Sequence, residues 1–352
     1  VKGWFWNSEE GRLRAFWRIA IFLVLYVAGL LALSCVGSFV VTLLVVAGQG
    51  DISNLQNLDT AQLTAQSPYL LALNGVISLI VLAVALPLAA AFLDRRPFAE
   101  YGFHMGMKWW LDLLFGLVLG AALMLGIFLV ERAVGWVTVT DSFVYPRSLP
   151  SFAVALLIPL VTFLAVGIYE EVLMRGYLLL NLAEGFNLES VGFRLAIVLA
   201  WVLSSSIFAL AHAFNPNSSL VSTLNLALAG LFLGLPFILT GDLAASIGLH
   251  ITWNFFQGNV FGFPVSGMGS STSFIAIEQA GPRVWTGGPF GPEAGLVGVA
   301  AILIGSLLTL LWVRLLRDRL ELYRPLAVYT PREAPSDEGE AEELVEPGIT
   351  VG

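Results

Sequence analysis

The chain has 352 residues, of which 57% are hydrophobic and only 12% charged, against about 25% charged in an ordinary soluble domain. Repeated apolar runs long enough to cross a bilayer exclude a soluble fold and point to an all-α, polytopic membrane helix bundle. The net charge of −8 marks no acidic surface, because seven of the acids lie in 333–352, which holds no Lys or Arg. That tail is rich in Pro, Gly and Glu, has no aromatic residue, and is expected to be disordered.

In chain order, hydropathy predicts about eight transmembrane helices, at roughly 19–47, 69–93, 110–130, 152–180, 194–213, 219–240, 242–263 and 293–316. Residues 1–18 read as a basic and aromatic interfacial segment, with Trp4, Phe5, Trp6 and Trp17 as a headgroup collar. Residues 19–316 form the transmembrane domain and 317–352 a cytoplasmic, mostly disordered acidic tail. Lys2, Arg12, Arg14 and Arg18 precede the first span, and the loop after it, 48–68, carries Asp51 and Asp59 but no basic residue. Arg95, Arg96 and Lys108 fall in the next loop, and Arg314, Arg317, Arg319 and Arg324 cluster at the end of the last span. Both termini are therefore expected to be cytoplasmic, in a bacterial-type plasma membrane.

The single cysteine, Cys35, rules out an internal disulfide framework and is expected to be a small core residue in mid-helix. The residues before it fit a lipobox poorly, and the apolar run continues past it, as suits a retained helix better than a cleaved leader. The 264–292 segment, with Gly and Pro throughout, reads as either a lid or an irregular outer loop. No basic nucleic-acid patch, Gly-rich phosphate loop or Cys-rich metal motif is present, so neither nucleic acid nor nucleotide is an expected partner.

Chemistry concentrates where ionisable residues interrupt apolar segments, because such groups are costly in lipid and normally mark function. Glu171 and Arg175 are four apart, acid before base, and can pair on one helical face. Glu170 is rotated about 100° from Glu171 and cannot easily share that partner, which makes Glu170 the freer carboxylate and the better general base. Phe208 and His212 share another helical face, four residues apart. His250 and Asn254 repeat the spacing on a third segment, where an imidazole and a carboxamide can hold a metal or a developing oxyanion.

Two histidines and a glutamate are the ligand set of many zinc sites, so Glu170, His212 and His250 are candidate metal ligands, although HExxH is absent. They serve equally a metal-free arrangement, in which Glu170 and a histidine activate water while His250 and Asn254 stabilise the tetrahedral intermediate. If Glu170 is spent on zinc the water needs another base, and Glu171 is committed to Arg175, which favours the metal-free form.

Glu170-Glu171-x-x-x-Arg175, Phe208-x-x-x-His212 and His250-x-x-x-Asn254, in this order on successive apolar segments, resemble the three motifs of the CPBP family. These are the CAAX proteases and bacteriocin-processing enzymes, also called the Abi family and including type II CAAX prenyl endopeptidases. The resemblance covers about 150–260. It implies an all-helical intramembrane endopeptidase, commonly labelled a metalloprotease, with the glutamate, both histidines and the asparagine at its active site. Membrane lipids and a peptide or membrane-protein substrate are the implied partners.

The main alternative is a non-enzymatic immunity or assembly factor using the same polar cluster for binding. A transporter is disfavoured by the lack of duplicated halves, and prenyl transfer by the lack of an Asp-rich pair. Drawn as straight spans, Glu170 and His212 lie toward opposite ends of their helices. They meet only if helices tilt, break or re-enter, for which Pro159, Gly167 and the turn at Pro216 offer opportunities.

Overall fold

A computed structural model of the chain describes residues 2–49 and 68–330. The 48–68 loop with its two aspartates and the acidic tail from Glu333 lie outside them, apart from the two ends of that loop. Among the described residues, seven helices are long and apolar enough to cross a membrane, as the all-α polytopic reading requires. They are α1 (Ala15–Gln49), α2 (Pro68–Leu88, extended by a π turn, Ala89–Asp94), α3 (Met107–Ala133), α4 (Phe152–Phe186), α5 (Gly192–Ala211), α6 (Leu220–Thr240) and α8 (Leu296–Arg317). The segment predicted as the span 242–263 is shorter. It is α7, a 12-residue helix (Ala244–Phe255) running into a 5-residue π turn (Phe256–Val260), and it is buried along most of its length.

Local sequence explains several of these boundaries. Ser151 caps α4 by accepting from the Val154 amide, and Ser219 with Ser222 forms a capping box at α6. Gly241, at φ 74°, ends α6 in the left-handed conformation.

Helix α7 lies in the middle of the bundle because its neighbours carry no side chain where it passes. A Cβ on Gly116 of α3 would stand 2.2 Å from the Ala245 carbonyl oxygen, and one on Gly167 of α4 would stand 2.5 Å from Cγ1 of Ile251. Both positions therefore allow backbone approach that any other residue would block.

The 264–292 segment is neither a free lid nor irregular throughout. Ser273–Gln279 (β2) pairs antiparallel with Val137–Val144 (β1), which follows α3. The alternating β-branched run Val137-Thr138-Val139-Thr140 is a strand signal that hydropathy over long windows does not register.

At the other end of the bundle, arginines expected only to flank spans are buried. Arg12 and Arg18 both donate to Oε2 of Glu184, at 2.9 and 2.8 Å, and Arg18 also reaches Asp94 at 3.0 Å. Arg96 pairs with the other Glu184 oxygen. These acids come from the far ends of α4 and α2, so the network ties three helix ends together. Nearby, Arg317 bridges Asp112 (2.6 Å) and Asp242 (2.9 Å). Residues 318–330 of the expected tail are docked on this end, with Leu326 and Ala327 buried.

Cys35 is not a core residue. It is exposed, because among its described side chains α1 buries only a narrow face, through Ala15, Arg18, Phe22 and Tyr26.

Candidate active site

Glu170 and Glu171 fall at the middle of α4, since that helix runs on past the predicted end at 180 to Phe186. Immediately after them it widens into a π turn, Val172–Leu179, a feature common at functional sites. Glu171 is fully buried, and its Oε1 accepts from Arg175 at 2.9 Å, as the four-residue spacing predicts. The same oxygen accepts from Nδ1 of His250 at 2.7 Å. Arg175 spends a second N–H on the Gly230 carbonyl (2.8 Å), and its guanidinium lies 4.8 Å from the centre of the Phe208 ring.

These bonds fix the imidazoles. With Nδ1–H of His250 held by Glu171, Nε2 faces Oε2 of Glu170 at 3.8 Å. In His212, at the end of α5, Nδ1 lies 2.9 Å from the Phe208 carbonyl, which can only accept, so Nδ1 carries the proton and Nε2 the lone pair. Phe208 stands between the two histidines, its ring centre 4.8 Å from that of His212 and 6.1 Å from that of His250. Glu170 lies at the middle of the long helix α4 and not toward its end, and it lines the same cavity as His212.

Glu170, His212, His250 and Asn254 all line one cavity of about 800 Å³. Glu171 lies behind it. Oε1 of Glu170 accepts from the Tyr169 hydroxyl at 3.0 Å, whereas Oε2 is buried without a hydrogen-bond partner among the described residues. A gap of 3.8 Å between Oε2 and His250 Nε2 is too long for a direct bond, yet one water can reach both atoms. The arrangement can hold and deprotonate a water beside an apolar cavity.

Tyr169 is not legible in the sequence as a site residue, because adjacent residues on a helix point about 100° apart and are not expected to meet. Glu293, which precedes α8 and also lines the cavity, is equally hidden. Its only sequence signal is a lone acid amid Gly and Pro just ahead of an apolar run.

Over residues 152–256 the chain matches the family model described as Type II CAAX prenyl endopeptidase Rce1-like. This segment is similar to an Rce1-like domain. No curated protein and no solved structure matches the chain. The Rce1-like domain begins at the first residue of α4, ends one residue beyond Phe255, and contains every motif residue singled out above. Tyr26, Asn74 and Glu293 complete the cavity from helices and loops outside it.

The donor set of the Rce1-like domain fits a metal only in part. Each histidine has its Nδ1–H occupied and Nε2 free, which suits metal ligation. Among the described residues, however, no three His, Cys, Asp or Glu side chains are gathered closely enough to hold an ion. Glu170, His212 and His250 share a cavity without converging on one point, and no step below is routed through a metal.

Proposed function

We propose that the chain is an intramembrane endopeptidase that hydrolyses a peptide bond in a membrane-associated or lipid-modified polypeptide. The observation carrying this reading is the free, buried Oε2 of Glu170, facing His250 Nε2 in a cavity with apolar walls. A water held by both atoms loses its proton to Glu170 as its oxygen attacks the scissile carbonyl carbon. Glu170 then returns the proton to the leaving amine. Glu171 keeps His250 in the tautomer that presents Nε2 to the water. His212, its Nδ1–H committed to Phe208, offers Nε2 as an acceptor to a substrate N–H and positions the peptide.

Asn254, one turn beyond His250, supplies an N–H to the developing oxyanion. Asn254→Ala is expected to lower turnover by about two to three orders of magnitude with little change in substrate binding. Single-turnover cleavage and peptide-binding measurements on the variant check this, and a variant that binds poorly but turns over normally contradicts it.

With α7 carrying the chain across as an eighth crossing between α6 and α8, the Lys and Arg distribution supports placing both termini on the cytoplasmic side, in a bacterial-type plasma membrane. Apolar residues of the cavity, such as Leu30 and Phe163, suit a lipid-borne substrate. The function is tested by comparing the proteomes of cells carrying wild type and Glu170→Ala. An uncut precursor accumulating with the variant is the expected result, and indistinguishable proteomes argue for a binding role.

The metal question has its own measurement. Elemental analysis of tag-free protein, with activity before and after a strong chelator, is expected to show cleavage that survives chelation. Stoichiometric zinc whose removal stops cleavage and whose return restores it replaces the metal-free scheme with a Glu170, His212, His250 site.

A further inference from the structure

The cavity has an unbalanced wall. The carboxylates of Glu170 and Glu293 line it, and no Lys or Arg does. Glu170 has a task in the mechanism above. Glu293 has none, although it is only 3% exposed.

Its hydrogen-bond partners among the described residues are all uncharged. Oε1 accepts from the Ser266 backbone N–H, at 2.5 Å, and from its hydroxyl, at 3.2 Å, while Oε2 accepts from the Gln257 amide. Burial pushes the carboxyl up to about 7, as expected where no cation offsets desolvation.

Asn259 lines the same cavity, and Gln257, which holds Glu293, lies behind the wall. Oδ1 of Asn259 and Oε1 of Gln257 are buried without a partner among the described residues, on residues that are themselves 0% exposed. Asn259 is tied to the cavity-lining loop through Ser270 (2.8 Å), the same loop that Glu293 holds through Ser266. This end of the cavity therefore offers more acceptors than donors, with a carboxylate among them. An unpaired buried acceptor is expensive, and an N–H-rich cation in the cavity can donate to Asn259 and offset the charge of Glu293.

We propose that Glu293, held by Gln257, forms with Asn259 a subsite that selects substrates carrying a cationic side chain, Lys or Arg, close to the scissile bond. The proposal rests on the endopeptidase reading. Gln257 lies about one helical turn beyond Asn254, roughly 5 Å along α7. An extended peptide advances about 3.3 to 3.6 Å per residue, so the cation belongs within two or three residues of the cleaved bond. A free terminal carboxylate finds no basic partner among the described residues lining this wall.

Pinning the loop is the competing role for Glu293, and Glu293→Gln separates the two. The new amide keeps an oxygen for Ser266; Gln257 gives up the Pro264 carbonyl if it turns its Oε1 to the new N–H, but the Ser266 anchor should keep the loop in place while the charge is lost.

The test uses the full chain in detergent, in the non-cleaving Glu170→Gln background. Fluorescence polarisation is read with labelled peptides that differ at one position: Lys, Arg, norleucine, Nε-acetyl-lysine or Glu. Lys and Arg peptides should bind roughly tenfold more tightly than norleucine or acetyl-lysine peptides. Adding Glu293→Gln should reduce that ratio to near one without lowering Tm. In the Glu293 protein the preference should grow as pH rises through about 7 and the carboxyl ionises.

An unchanged ratio in Glu293→Gln, or no preference for the cation in the parent, overturns the subsite. A lowered Tm with the ratio intact assigns Glu293 to the loop alone. If cationic peptides bind as described but the wild type cleaves none of them, the endopeptidase reading fails and the binding subsite stands.

Discussion

Glu170→Gln should abolish proteolysis while leaving Tm in detergent unchanged. The amide keeps the shape of the side chain and an oxygen for the Tyr169 hydroxyl, so the packing around the middle of α4 loses nothing. What disappears is the group that takes the proton from water, a loss worth at least about two to four orders of magnitude in rate. Cleavage of a peptide or precursor by purified variant and wild type, read alongside thermal melts, checks both halves of the expectation. A fully active Glu170→Gln enzyme removes the assignment of the base, and an inactive but unfolded one shows that Glu170 serves the fold.

Glu171→Gln should behave differently, damaging stability and chemistry together. Its Oε1 is the acceptor for both Arg175 and His250, deep in the bundle. Without the negative charge, Arg175 is left buried with neutral acceptors alone, the new amide oxygen and the Gly230 carbonyl, beside the face of Phe208. Breaking a buried pair in this way costs about 3 to 5 kcal/mol.

The loss of a charged acceptor also loosens the His250 tautomer, for which a further fall in activity of about 10- to 100-fold is expected by analogy with outer partners of other functional histidines. A second variant separates the two effects. Glu171→Gln combined with Arg175→Met removes the orphaned charge and should recover much of the melting temperature, yet it cannot restore the grip on His250. Recovery of activity in the double variant would show that Glu171 acts only as a counter-charge.

Expecting Glu171 to serve Arg175 alone follows from looking along one helix. Four-residue spacings report which side chains share a face, and that is why Glu171 with Arg175 and Phe208 with His212 are legible in the sequence. They say nothing about what faces them from another helix. The contact from His250 to Glu171 depends on how closely α7 approaches α4. That approach rests on Gly167, a residue whose importance lies in the atoms it lacks. The burial of Arg12 and Arg18 is illegible for a similar reason, because their partner Glu184 is more than 160 residues away in the chain.

Composition and hydropathy by themselves determined that the chain is an all-α membrane bundle, since only helices and closed barrels satisfy their backbone groups in lipid and barrel strands do not carry continuous apolar runs of this length. Spacing alone also identified the residues of the Rce1-like domain on which the chemistry is proposed to depend. Tertiary structure decided everything set by distance across the bundle. It kept the segment predicted as the seventh span short and central as α7, and it paired β1 with β2 across the interval between α3 and α8. It also brought Glu293 to the cavity and left Oε2 of Glu170 free beside His250. Such contacts join segments far apart in sequence, and their geometry comes from packed helices and not from any local period.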